Sequence, residues 1–163
     1  MSTQRFLFWQ KWLNWSNVIA VMVGLWVAFA GNSIFFEYHN AQSADVFFGG
    51  VAFQGQVLSF KNWLFGIIGG TIVGFHLLMI MISEYAFKRG ERWAYLAMWL
   101  GLASWFVIDS GLSLFYGAIH NLILINLPAF LMIATPLLMI YPMFFGKKPI
   151  DHPVAKEPAG TAS

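Results

Sequence analysis

Four long stretches of the chain are almost entirely apolar, and short polar segments separate them. A helix needs about 20 mostly apolar residues to cross the hydrocarbon core of a bilayer. The stretches that reach this length lie at about 18–36, 63–83, 93–116 and 122–145. Because these runs are continuous and lack the alternation of barrel strands, we expect helices. The pattern predicts an all-α polytopic membrane protein, with a four-helix transmembrane bundle as one domain over 1–148.

The composition agrees with a membrane protein and excludes several classes of site. Of the 163 residues, 59% are hydrophobic and 10% are charged. Soluble domains carry about 25% charged residues, so the lipid bilayer is the expected partner of this surface. The net charge of +2 is small, and nucleic-acid binding is not expected. The chain has no cysteine, which excludes disulfides, thiol catalysis and cysteine-held metal sites.

The basic residues are distributed unevenly between the two sides of the predicted spans. Lys61 lies alone on one side, whereas eight of the nine basic residues share the other. Those eight are Arg5, Lys11, Lys88, Arg89, Arg92, Lys147, Lys148 and Lys156. By the positive-inside rule this distribution predicts an N-in/C-in topology with both termini cytoplasmic. We expect a bacterial inner membrane, and a disordered cytoplasmic tail over 149–163, which is polar and rich in Pro and Ala.

The segment between the first two spans faces outward in this topology and is unusually apolar for a loop. Its run from Val46 to Phe53 is too short and too broken by glycine to cross a membrane. Two interpretations fit this composition. The segment is either an interfacial or re-entrant cap over the outer face of the bundle, or a loop that tucks onto the outer leaflet.

The second span carries three glycines at four-residue spacing. Gly66, Gly70 and Gly74 lie on one helix face, where they allow another helix to approach closely. The spacing predicts helix packing at this face. It leaves open whether the neighbour is a helix of the same chain, a second copy in a homo-oligomer, or a subunit of a larger membrane complex.

The third span contains a carboxylate deep within its apolar run. Asp109 would cost about 2.5–3.5 kcal/mol at such a depth on insertion scales, so it is expected to face protein or water. Helical spacing places Ser113, Tyr116 and His120 on the same stripe as Asp109. Polar residues at the same level of other spans are Asn121, Asn126 and Asn32.

This constellation has two interpretations. In the first, it lines a polar pocket that opens outward, has Asp109 at its base, and binds a small amphipathic or lipid-like ligand. In the second, it is a buried hydrogen-bond network that only fixes the register of the helices. The inner half of the predicted bundle contains fewer polar residues than the outer half. This asymmetry favours the pocket, because a register network could lie at any depth.

His76 is the second ionisable residue inside a predicted span, and we include it among the candidate ligand-binding residues. It lies deeper than Asp109, and a pair formed by the two side chains could relay protons. In the alternative interpretation, the imidazole donates a hydrogen bond to a backbone carbonyl and has no role in function.

Metal and enzyme motifs are absent from the sequence. Glu37, His39, Asp109 and His120 offer carboxylate and imidazole groups that could converge on one ion, but no paired Glu-x-x-His pattern supports this. No cofactor is therefore expected. The nucleophile elbow, the zinc-protease motif and the phosphate-binding glycine loop are also missing.

The sequence favours a binding or accessory protein over two other classes. One alternative is proton- or ion-coupled transport by a homo-oligomer, with a path through Asp109 and His76. The other is an intramembrane enzyme, for which the sequence provides ionisable groups but no recognisable catalytic motif.

Overall fold

The computed structural model describes residues 2–146, and this part of the chain consists of helices joined by short turns. The elements are α1 Thr3–Ala30, α2 Glu37–Phe48, α3 Gly55–Phe87, α4 Arg92–Phe115 and α5 Ile119–Phe145. A 3₁₀ turn at Ile34–Phe36 precedes α2. Two π-helical turns interrupt the regular geometry, Ser83–Phe87 at the end of α3 and Leu122–Asn126 near the start of α5. The basic residues Lys147, Lys148 and Lys156 and the tail 149–163 lie outside the described residues.

Four of these helices, α1, α3, α4 and α5, are each long and apolar enough to cross a membrane. Their outer surfaces carry large apolar side chains with little cover, such as Phe29 at 86% exposed and Phe115 at 79% exposed. Such a surface suits lipid and would be unfavourable in water. The predicted all-α class with four membrane-length helices is confirmed. The direction in which the helices cross the membrane stays a prediction.

Helix α1 is the element whose bounds differ most from the prediction. It begins at Thr3 and ends at Ala30, whereas the apolar run predicted a span over 18–36. The hydroxyl of Ser2 caps its start by accepting a hydrogen bond from the backbone amide of Arg5 at 3.4 Å. Polar side chains in the first half of the helix interrupt its apolar run, so a search for continuous apolar sequence begins too late.

The segment predicted as an outward cap or loop contains a regular helix. It forms α2, which ends at Gly49 and Gly50 with φ angles of 60° and 84°. These are left-handed conformations that glycine adopts without steric cost, and they turn the chain back toward α3. We call the end of the bundle that carries α2 the α2 end. The opposite end, which holds Thr3 and the turn between α3 and α4, is called the N-terminal end.

Helices α1 and α3 pack against each other at very short distance near the middle of the bundle. A Cβ atom on Gly69 would lie 2.4 Å from the carbonyl oxygen of Gly24 and 2.6 Å from the backbone nitrogen of Ala28. A Cβ atom on Gly24 would lie 2.9 Å from Cγ2 of Ile72. Glycine is therefore required at this crossing, because the two backbones are almost in contact.

The glycines singled out by their four-residue spacing do not form this crossing. Nothing lies within 4 Å of the positions that Cβ atoms on Gly66, Gly70 and Gly74 would take. Gly70 follows Gly69 directly, and one residue turns the helix face by about 100°. The stripe therefore makes no close helix contact within residues 2–146, which removes the same-chain alternative for the described residues. Contact with a second chain stays a prediction.

The buried apolar core lies in the half of the bundle toward the N-terminal end. Its largest fully buried side chains include Phe87, Leu13, Met98, Ile133 and Leu137. Aromatic rings extend this cluster, as Phe87 and Phe144 meet edge to face at 4.9 Å between centroids. The candidate sites lie toward the α2 end, beyond this cluster.

Candidate functional site

Asp109 is the acceptor at the centre of a hydrogen-bond network between α4 and α5. Its Oδ1 atom accepts from Nδ2 of Asn121 and from Nδ2 of Asn126, both at 2.9 Å, and from Oγ of Ser113 at 3.3 Å. The Asn121 amide also donates to Ser113 Oγ at 2.8 Å, and the Asn126 amide donates to Ser110 Oγ at 3.2 Å. The structure thus brings together four of the predicted residues and adds Ser110.

The π-helical turn of α5 explains how Asn121 and Asn126 reach the same carboxylate. Residues five apart on a regular α-helix point about 140° away from each other. A π turn bonds residue i to residue i+5 and therefore brings such residues onto one face. The sequence places both amides at the level of Asp109, but nothing in its apolar pattern indicates this turn.

The network has the properties of a structural tie between two helices. Oδ1 of Asp109 accepts hydrogen bonds from three donors of α4 and α5, which ties the two helices together. Asn126 is fully buried, and its Oδ1 has no hydrogen-bond partner within residues 2–146. The geometry therefore agrees better with the register network than with a carboxylate that faces an open pocket.

Tyr116 and His120 do not continue the stripe that begins at Asp109. Helix α4 ends at Phe115, and Gly117 reverses the chain with a φ angle of 74°. Tyr116 is exposed and its ring lies 6.1 Å from that of Phe47 on α2. The position of this turn, and not helical spacing, determines where the two side chains lie.

His120 faces α2 and forms a pair with a second histidine. Its Nε2 atom lies 3.1 Å from Oγ of Ser43, and its ring centroid lies 5.0 Å from that of His39. Burial lowers the pKa of His39, and the nearby His120 and Lys61 lower it further, while a hydrogen bond to Asn121 acts in the opposite direction. No group of three or more metal-ligating side chains occurs within residues 2–146, so Glu37, His39, Asp109 and His120 do not converge on one ion.

The lowered pKa of His39 predicts that acid destabilises the fold. The free imidazole titrates at 6.5, and the folded value lies below this, so the unfolded chain takes up the proton first as the pH falls. The free energy of unfolding is therefore at its full value above pH 6.5 and decreases below it. We expect His39→Phe, which keeps an aromatic ring beside Phe65, to show a shallower decrease between neutral pH and about pH 5. A wild-type slope in this variant would contradict the assignment.

His76 is bonded to α1 and not to Asp109. Its Nδ1 atom lies 2.7 Å from Oδ1 of Asn17, whose Nδ2 donates to the carbonyl oxygen of Leu13 at 2.7 Å. Because the amide nitrogen is used by Leu13, the imidazole Nδ1 is the donor in this pair. The His76–Asp109 pair that a proton relay requires is therefore not formed. The partner is a side chain of α1, and not the backbone carbonyl of the alternative interpretation.

Polar groups of α1 also line the half of the bundle toward the N-terminal end. Nε2 of Gln10 donates to the carbonyl oxygen of Ser83 at 2.6 Å, and Nδ2 of Asn14 donates to the carboxylate of Glu84. With Asn17 these residues follow a spacing of four and three, which is one helix face. The predicted shortage of polar groups in this half was wrong, because it rested on a first span that began at 18. The asymmetry that favoured a pocket at Asp109 is thereby removed.

Lys61 is the feature that sequence reasoning treated only as an exception to the charge distribution. It is 7% exposed, and Nζ donates to the carbonyl oxygen of Gly31 at 3.2 Å, to Oδ1 of Asn32 at 2.5 Å and to Oδ1 of Asn40 at 3.1 Å. It also lies 4.6 Å from the ring centroid of Phe65. All three acceptors are uncharged, and within residues 2–146 no carboxylate forms an ion pair with Lys61. Its positive charge is therefore hydrogen-bonded but not neutralised.

Lys61 lies at the wall of an open groove at the α2 end. The groove has a volume of about 580 Å³ and is enclosed by the 3₁₀ turn, α2, the 49–54 loop and the start of α3. Its walls comprise Asn32, Ser33, Ile34, Glu37, Asn40, Ala41, Ala44, Gly50, Ala52, Phe53, Leu58 and Lys61. Of the predicted ligand-binding residues, only Asn32 is among them. The groove depends on the position of α2, which the apolar pattern does not indicate.

Comparison with known proteins does not assign a function to this site, so its own geometry has to be used. No protein-family model, no curated protein and no solved structure matches the chain. The basis for a function is therefore the pair of features at the α2 end, the tied carboxylate of Asp109 and the unneutralised cation of Lys61.

Proposed function

We propose that this protein is a small integral membrane protein that binds an amphipathic, lipid-like molecule in the groove at the α2 end, with an acidic group, a phosphate or carboxylate, in its head group. The observation that carries the proposal is Lys61, a nearly buried cation without a carboxylate partner in the described chain, at the wall of this groove. The proposal includes a bacterial inner membrane, cytoplasmic termini and a groove that faces outward, in agreement with the positive-inside rule.

An acidic head group would supply the negative charge that the groove lacks at Lys61. Removing a cation from water is unfavourable unless an opposite charge or good hydrogen bonds compensate it. Charge-assisted hydrogen bonds to a phosphate or carboxylate are stronger than bonds to neutral carbonyl and amide oxygens. Gly31, Asn32 and Asn40 take all three N–H donors of Lys61, so a bound anion displaces one of the two asparagine oxygens and forms the stronger charge-assisted bond in its place.

The rest of the groove suits the apolar part of such a molecule. Ile34, Phe53 and Leu58 contribute apolar side chains to its walls, and Ile34 is largely exposed. Membrane-embedded binding sites combine mostly apolar walls with a few placed polar groups. A ligand with its head group at Lys61 and the first methylene groups of its apolar chain against these side chains would fit such a site.

Asp109 has a supporting role in this proposal. Its network joins α4 to α5, and His120 at the start of α5 contacts Ser43 of α2. Ser43 is not itself a wall residue of the groove, but its neighbour Ala44 is. Transport through Asp109 and His76 gains no support, since the two side chains belong to separate hydrogen-bonded clusters. Association with a second copy or a larger complex is compatible with the proposal and is not needed for it.

The test is native mass spectrometry of the protein in mild detergent, titrated with the phospholipid dioleoyl phosphatidylethanolamine or with dioleoylglycerol, which lacks the phosphate-containing head group. We expect retention of the phospholipid alone. Lys61→Gln keeps a polar side chain but removes the charge, and should weaken retention about tenfold, the equivalent of one charge-assisted hydrogen bond. Lys88→Gln is the matched control, because Lys88 is an exposed lysine that pairs with Glu84 at the other end of the bundle.

A further variant distinguishes this groove from the site predicted from the sequence, and the lipid comparison tests the head group. Asp109→Asn should retain the phospholipid as well as the wild type does, because Asp109 is not a wall residue of the groove. Loss of the lipid in Asp109→Asn together with normal binding by Lys61→Gln would contradict the groove and support a pocket centred on Asp109. Equal retention of phospholipid and dioleoylglycerol would contradict the acidic head group.

A further inference from the structure

We infer that the head group bound in the groove also carries a primary ammonium, so that the ligand is a zwitterionic lipid of the phosphoethanolamine type. The inference rests on the proposed function and makes it more specific. It depends on a second charged wall residue, Glu37, which lines the same groove as Lys61.

The two charges are not neutralised by each other. Within residues 2–146, the ion pairs are Lys88 with Glu84 and Arg89 with Glu91, and neither Lys61 nor Glu37 takes part in one. The groove wall therefore presents a separated cation and anion. Opposite charges that fail to pair directly can each be satisfied by one ligand that carries both signs.

The burial of the two residues indicates which charged group of such a ligand lies near Lys61 and which lies near Glu37. Lys61 of α3 is nearly buried against the C-terminal end of α1, where its Nζ atom donates to the carbonyl oxygen of Gly31. Glu37 is exposed in the first turn of α2. A phosphate would thus lie deeper, near Lys61, and an ammonium nearer the surface, at Glu37.

A primary ammonium fits Glu37 better than the other common head groups do. Its three N–H donors can form charge-assisted hydrogen bonds to a carboxylate, whereas the quaternary ammonium of a choline head group has no donor. A glycerol head group carries no positive charge, so Glu37 would lie beside a net anion and repel it. The expected order of retention is phosphatidylethanolamine, then phosphatidylcholine, then phosphatidylglycerol.

The experiment is a competition in nanodiscs or mild detergent. Equimolar dioleoyl phosphatidylethanolamine, phosphatidylcholine and phosphatidylglycerol are offered, and retained lipid is identified by native mass spectrometry. We expect the wild type to prefer phosphatidylethanolamine over phosphatidylglycerol by about tenfold, as for one charge-assisted hydrogen bond. In Glu37→Gln this preference should disappear while total lipid retention persists. Asp45→Asn is the matched control, because Asp45 is an exposed carboxylate of α2 that is not a wall residue of the groove.

Each other outcome has a distinct meaning. A wild type that retains phosphatidylglycerol as well as phosphatidylethanolamine, with no change in Glu37→Gln, would overturn the ammonium assignment and leave the proposed function intact. A wild type that retains no lipid, or a Lys61→Gln variant that retains lipid normally, would overturn both. An equal loss of preference in Asp45→Asn would show that general surface charge, and not contact with Glu37, selects the lipid, and would also overturn the inference.

Discussion

Gly69→Ala is expected to destabilise the protein strongly, although it adds a single methyl group. That methyl carbon would lie 2.4 Å from the carbonyl oxygen of Gly24 and 2.7 Å from the Cβ atom of Ala28. The obstructing atoms include backbone, so no side-chain rotation can relieve the overlap. Helices α1 and α3 must separate along their most extensive contact. We expect a loss of about 2–3 kcal/mol, the upper part of the range for overpacked cores.

The neighbouring glycine provides the control for this variant. Gly70→Ala adds the same methyl group one residue later, where nothing lies within 4 Å of it. Both substitutions gain the same helix propensity, up to about 1 kcal/mol, so the difference between them isolates the helix contact. The free energy of unfolding in mixed micelles, measured by titration with a denaturing detergent, would report it. If the two variants were equally stable, the close crossing of α1 and α3 would be wrong.

Asp109→Leu should have an effect of similar size for a different reason. Leucine removes the acceptor shared by Asn121 and Asn126, so each amide group keeps its bond to a serine but loses one of its two hydrogen bonds. An unsatisfied buried donor costs about 1–3 kcal/mol, so the two lost bonds predict a loss of stability of about 2–6 kcal/mol.

The comparison with Asp109→Asn tests what the carboxylate contributes. Asparagine keeps the Oδ1 acceptor that all three donors use, and removes the charge. If Asp109 is a structural tie between helices, Asp109→Asn should remain within about 1 kcal/mol of the wild type. A variant as unstable as Asp109→Leu would mean that the charge itself is required, and the interpretation as a hydrogen-bond network would fail.

The apolar pattern was sufficient to identify the membrane-length helices, but not where the first one begins. The predicted starts of the last three spans fall within eight residues of the observed helix starts at Gly55, Arg92 and Ile119. The first span was placed too late because Gln10, Asn14 and Asn17 make its opening turns polar. Those side chains form hydrogen bonds with groups of α3 that are distant in sequence. A hydropathy scale scores each residue as polar and takes no account of such partners.

The candidate site was predictable where it depends on helix geometry and unpredictable where it depends on turns. Helical spacing correctly predicts that Ser113 lies beside Asp109. The similar depth of Asn121 and Asn126 in the predicted membrane correctly places them near both residues. His120 was misplaced because the turn at Gly117 changes its direction. The groove at Lys61 arises only when α2 folds over the ends of α1 and α3. No local pattern of the sequence contains that arrangement.

The polar face of α1 has a consequence for how the protein is synthesised. Helix α1 precedes α3 in the chain and is made before it, yet the groups that bond to Asn17, Gln10 and Asn14 lie at His76, Ser83 and Glu84 of α3. Until α3 has been made, an early α1 would expose these amides to lipid, where each unsatisfied polar group is costly. We therefore expect stable integration of α1 to wait for α3, so that the two helices enter the bilayer as a pair.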